Sequence, residues 1–70
     1  MERTPLNSEA CVSAAYDAGT QVLEIEFVQG AVWQYTPVPP QTARAFLLAA
    51  SPGRAFRQII KGKFSEEQIE

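Results

Sequence analysis

The side chains with the widest chemical reach in this 70-residue chain are basic, and they lie close together in the sequence. Arg54, Arg57 and Lys61 recur at i, i+3 and i+7, the spacing that lines one stripe of an α-helix. Arg44 and Lys63 extend the group, so residues 41–64 carry five basic residues and no acid. Such a stripe attracts a polyanion and can follow a phosphate backbone, most strongly at low salt. Ser51 and Gly53 stand where that helix would begin, and free backbone N–H groups at a helix start favour an anion. The plainer alternative is a solvated helix face whose cations offset the helix dipole. The acids sit elsewhere. Glu2, Glu9, Asp17, Glu24 and Glu26 face Arg3 alone in residues 1–40, and Glu66, Glu67 and Glu70 close the chain. The formal net charge of -2 therefore hides a segregated distribution.

The remaining candidates each have a bland reading. Glu24 and Glu26, two apart on a strand, share one face, a geometry that suits a metal or acid–base chemistry. No third ligand or nucleophile accompanies them, so a solvated strand face is expected. Trp33 and Tyr35 are also two apart; they form either a stacking platform for bases or part of the core. Cys11 has no base or cation near it in sequence to lower its pKa, so an inert thiol is expected. With no histidine and one cysteine, the chain cannot hold an internal disulfide, a His-based triad or a zinc site of the usual Cys/His type. No catalytic residue, metal or cofactor is expected. A lone thiol suits a reduced, cytoplasmic setting. MERTPLNSEA lacks a basic-then-apolar signal pattern, and no apolar run approaches the roughly 20 residues that span a bilayer.

The elements that must position these residues are organised around residues 22–40. Leu23, Ile25 and Phe27 alternate with Glu24 and Glu26, and Ala31, Trp33 and Tyr35 alternate with Val32, Gln34 and Thr36. A two-residue Gln29-Gly30 turn would need positive φ at both positions, which Gln tolerates poorly. A three-residue Val28-Gln29-Gly30 loop needs it only at Gly30. The longer loop is favoured; it pairs Phe27 with Ala31, Ile25 with Trp33 and Leu23 with Tyr35, bringing the aromatics to the aliphatic face. The shorter turn would slip the register by one and send them outward.

Upstream, residues 11–16 read as a further strand with Val12, Ala14 and Tyr16 on one face, and Asp17-Ala18-Gly19-Thr20 as a turn with positive φ at the glycine. Downstream, Pro37, Pro39 and Pro40 end the pairing, and Pro40 can open a helix over residues 41–50 that buries Ala43, Phe46, Leu47 and Ala50. Ser51-Pro52 restarts a second helix over residues 52–61, with Ala55, Phe56, Ile59 and Ile60 inward. Gly62 ends it, and Phe64 folds back. The predicted class is α+β: a three-stranded antiparallel meander, then two helices packed on one face (βββαα). Residues 1–10 are a polar arm, 11–64 one domain and 65–70 an acidic tail. The expected core is Val12, Tyr16, Leu23, Ile25, Phe27, Trp33, Tyr35, Val38, Phe46, Leu47, Phe56 and Ile60.

Residues 8–64 resemble the KTSC domain, a family named from the C-terminus of some lysyl-tRNA synthetases. The resemblance rests on Trp33-Gln34-Tyr35 as an aromatic-x-aromatic pair, on Val38-Pro39 before the first helix, and on Ser51-Pro52-Gly53-Arg54-Ala55-Phe56. The chain departs from the family pattern in having Trp33 where tyrosine is more usual, Ala55 where an aromatic is frequent and Arg57 where asparagine is common. The synthetase context implies RNA as a partner. Two functions follow: a non-catalytic module that contacts RNA through Arg44, Arg54, Arg57, Lys61 and Lys63, or a protein–protein adaptor with no nucleic-acid role that uses a sheet edge. Neither involves a membrane.

Overall fold

The computed structural model describes residues 3–70; Met1 and Glu2, the tip of the expected arm, lie outside the described residues. Its frame is one antiparallel sheet in sequence order: β1 (Arg3–Pro5), β2 (Cys11–Asp17), β3 (Val22–Phe27), β4 (Val32–Thr36) and β5 (Ser65–Gln68). Between β4 and β5 run α1 (Pro40–Leu47) and α2 (Pro52–Ala55), and α2 continues as a π-helical turn over Phe56–Ile60. The α+β class holds, but the sheet has five strands where three were expected. The added strands come from the polar arm and the acidic tail.

Both additions escape a reading based on alternation because neither buries side chains. All residues of β1 and β5 are exposed. The backbone ladder, which needs only a partner edge, holds β5, and it holds β1 together with the polar contacts of Arg3. β1 pairs Arg3, Thr4 and Pro5 with Ala15, Ala14 and Ser13, and Pro5 is tolerated because the strand is an edge. Gly62, at φ 76°, helps turn the chain after the π turn, and Ser65–Gln68 then pairs with Trp33–Thr36.

The central hairpin has the favoured register. Leu23 pairs with Tyr35 and Ile25 with Trp33, Phe27 N–H donates to the Ala31 carbonyl at 2.8 Å, and Gly30 has φ 100°. Nothing lies within 4 Å of a Cβ built on Gly30, so Gly30→Ala should lose stability through backbone strain alone. The expected loss is about 1 kcal/mol in urea unfolding; an unchanged midpoint would contradict the loop geometry. At the preceding turn the Asp17 carboxylate accepts from Gly19 N–H at 2.9 Å, as a turn-forming Asp should. The positive φ there belongs to Gln21, at 58°, and not to Gly19.

A bulge explains the main error in the expected core. The β2–β3 register shifts between Cys11 and Ser13, so Val12 becomes the extra residue. Val12 is 43% exposed, and Cys11 takes its place beside Ala14 under the helices. The buried cluster is Cys11, Ala14, Leu23, Ile25, Tyr35, Val38, Ala43, Phe46 and Ile60. Tyr16, Phe27, Trp33, Leu47, Phe56 and Phe64 pack around it, partly buried. The Tyr16 hydroxyl donates to the Val38 carbonyl at 2.5 Å and Val38 N–H to the Gln21 carbonyl at 2.8 Å, fixing the chain between β4 and α1. The Thr36–Pro37 peptide is cis. α1 buries Ala43 and Phe46 but stops at Leu47, so Ala50 stays exposed beyond it.

On the other face, Glu24, Glu26, Gln34 and Thr36 do lie together, but the two glutamates are half-buried and bonded. Arg3 pairs with Glu24 and donates to the Ser13 hydroxyl at 3.0 Å; Ser13 donates to Glu26, and Gln34 to Glu24, each at 3.0 Å. The carboxylates tie β1, β2, β3 and β4 together where a merely solvated face was expected.

Candidate nucleic-acid interface

The predicted basic stripe does not survive folding as one line. Lys61 N–H donates to the Phe56 carbonyl at 2.8 Å, five residues back, and Lys61 itself leaves the helix at ψ 126°. The wider turn breaks the 3.6-residue period on which the i, i+3, i+7 alignment depends. Arg54 and Arg57 remain together; Lys61 turns toward a different groove. Arg44 sits on α1 beside Pro40 and Ala45, and Lys63 is exposed in the turn that follows the π segment.

Arg54 and Arg57 line an open groove of about 360 Å³ between the start of α2 and the loop joining β1 to β2. Ser51 and Gly53 line it too, so four of the seven predicted site residues share one place. The opposite wall is Asn7, Ser8, Glu9 and Ala10, which the sequence reading assigned to the arm. Ser8 shapes that wall, its hydroxyl accepting from the backbone N–H of Ala10 at 3.1 Å and of Cys11 at 3.4 Å. The helix start lies close to that wall: a Cβ on Gly53 would stand 3.6 Å from Ala10 Cβ and the Ser8 hydroxyl and 3.8 Å from the Arg57 guanidinium, ordinary packing distances that do not require glycine. Ser51 occupies the N-cap position but makes no side-chain cap bond, and the α-helical part of α2 is only four residues long. The anion site expected at a helix start has little helix behind it, leaving the two guanidinium groups as the groove's charge. Glu9 sets one carboxylate against them, and among the described residues neither arginine is held in a salt bridge.

Cys11, buried, follows the wall formed by Asn7 to Ala10, and its N–H donates to the Ser8 hydroxyl. Burial raises its thiol pKa, while the nearby Arg57 guanidinium works in the opposite direction and only partly offsets it. The fold thus supplies a cation that the sequence spacing hid, but desolvation prevails and the thiol stays protonated and inert.

Trp33 and Tyr35 face the helices, as the favoured register required. Tyr35 is buried, and Phe56 packs edge-on against it with ring centroids 5.6 Å apart; Phe27 meets Phe56 at 5.2 Å. Burial pushes the Tyr35 phenol up to about 12, helped by Glu66, its partner across the β4–β5 ladder, and by Cys11. Because the folded pKa lies above the ordinary 10.0, this stabilisation is whole below pH 10 and is lost as pH rises through 12. Urea midpoints of the wild type should fall over that window, and Tyr35→Phe should lack this part of the fall; identical profiles would contradict the assignment.

Among the described residues no helix is long and apolar enough to cross a membrane, and no group of three His, Cys, Asp or Glu residues converges as a metal site would.

Comparison with known proteins agrees with this architecture. A protein of Stutzerimonas stutzeri is 44% identical over 61 residues, 87% of this chain and 86% of its own length. A lysine–tRNA ligase of Nostoc punctiforme is 44% identical over 55 residues, which are 79% of this chain but only 10% of the ligase. The crystal structure of a KTSC domain protein from Yersinia pestis matches with a TM-score of 0.92 at 40% identity, covering 99% of this chain and 97% of that one. No catalytic family is evident at this length, since the ligases are matched over so small a share. The KTSC domain model spans residues 7–64, holding both walls of the arginine groove and all strands but the outer two. By that match, and by the solved relative, the chain belongs to the KTSC domain family.

Proposed function

We propose that this domain is a small non-catalytic RNA-binding module of the cytoplasm that contacts phosphates through Arg54 and Arg57. The observation that carries the reading is the convergence of two guanidinium groups on one groove, neither held by a carboxylate in a salt bridge among the described residues. Arginine suits phosphate through its planar array of donors. Lysine–tRNA ligases carry related segments, and a ligase of that name handles an RNA substrate. Lys61, Lys63 and Arg44 add to the field at longer range without sharing the groove.

A second reading, a protein adaptor, draws on the sheet edges. β5 is an exposed edge strand whose outer ladder side pairs with no other strand among the described residues, where a partner strand can add. Equilibrium binding of a short single-stranded RNA separates the two. The module requires salt-sensitive affinity that Arg54→Ala/Arg57→Ala removes; absence of binding at low salt would leave the adaptor.

A further inference from the structure

A second groove, of about 210 Å³, shares no lining residue with the arginine groove and is walled by aromatic side chains. We propose that it receives one unpaired base of the bound strand, stacked among Phe27, Trp33 and Phe56. The inference rests on the RNA reading above and specifies which part of the RNA is read there.

Three features support it. Phe27, Trp33 and Phe56 are only partly buried, so their surfaces meet the groove as well as the core. Tyr35 is 2% exposed and lines the same groove, yet its hydroxyl bonds to no other described residue. No polar side-chain atom described is both sealed from solvent and unpartnered, so that hydroxyl keeps a small contact with solvent. Gln29, Lys61 and Glu66 form the rim: an amide, a cation and a carboxylate around an aromatic floor. An aliphatic or phenyl side chain would leave the hydroxyl, the amide and the carboxylate facing apolar surface, at the cost of lost hydration. A base instead brings a π-face for the rings, a hydrogen-bonding edge for the rim and a phosphate for Lys61. Phe56 and Arg57 are consecutive on the π turn and line different grooves, so a strand crossing that turn meets both a guanidinium group and aromatic rings.

The test uses two RNA oligomers of equal length and charge, one ordinary and single-stranded, the other an abasic ribose–phosphate backbone. Affinity and the emission of Trp33, the one tryptophan in the chain, are followed together. The ordinary strand should quench Trp33 and bind about tenfold or more tightly than the abasic one, the contribution of a stacked base. Tyr35→Phe should weaken binding of the ordinary strand and leave the abasic strand unaffected. Equal affinities with unchanged emission would overturn the base groove while leaving the arginine contacts standing. Tighter binding of the ordinary strand without a change at Trp33 would place the base elsewhere and overturn it too. If neither oligomer binds at low salt, the RNA reading itself fails and this one with it.

Discussion

Phe46→Ala is expected to lower the unfolding free energy by about 3–5 kcal/mol. Phe46 is fully buried and heads the sealed side chains in size. It is the point at which an eight-residue helix, with only Ala43 also buried, meets the sheet. Truncation removes the ring's transfer energy and leaves a cavity that strands fixed by their ladder cannot close. A domain of this length holds about 4–10 kcal/mol in all, so a single side chain carries a large share of it. In thermal unfolding each kcal/mol is worth about 4–8 °C at this size, and a fall of more than about 12 °C is expected. Leu48→Ala, one turn-residue beyond the helix and 76% exposed, should change almost nothing. Similar midpoints for the two variants would mean that α1 is not seated by Phe46.

Arg54→Ala/Arg57→Ala is the second large effect. Each phosphate contact to a single strand contributes about 0.7 to the slope of log affinity against log salt, so removing two should lower the slope by about 1.4. Affinity at low salt should fall by about tenfold or more, since hydrogen bonds between charged partners contribute about 1.5–3 kcal/mol each. Arg44→Ala is the matched control. It removes one positive charge from α1, against two for the double variant, away from the groove, and screening should keep its effect to about twofold near physiological salt. If Arg44→Ala and the double variant weaken binding alike for each charge removed, the contact is diffuse and the groove is not the site.

Much of this architecture was legible in the residues. The alternation of Leu23, Ile25 and Phe27, with a glycine placed for a three-residue loop, settled the hairpin register and with it the burial of Tyr35. Pro40 and Pro52 marked the helix starts. Three things were not legible, for different physical reasons. β1 and β5 form through backbone bonds and bury no side chain, so composition carries no sign of them. The bulge that exchanges Val12 for Cys11 depends on where β2 meets β3, a property of the pair and not of either strand. The π turn parts Lys61 from Arg54 and Arg57, and helical-wheel arithmetic assumes a period that this segment abandons. The arginine groove was half legible: Ser51, Gly53, Arg54 and Arg57 stood out, while Asn7, Ser8 and Glu9 looked like an arm. The polar run Asn7-Ser8-Glu9 just before β2 was the available signal, and only the sheet's return path brings it to α2.

The RNA-binding reading stands or falls most directly on the affinity of the purified domain for a short single-stranded RNA across a salt series, with Arg54→Ala/Arg57→Ala measured in parallel. Binding should weaken steadily with salt, with a shallower slope for the double variant. No binding at the lowest salt, or the same slope for both proteins, would contradict it.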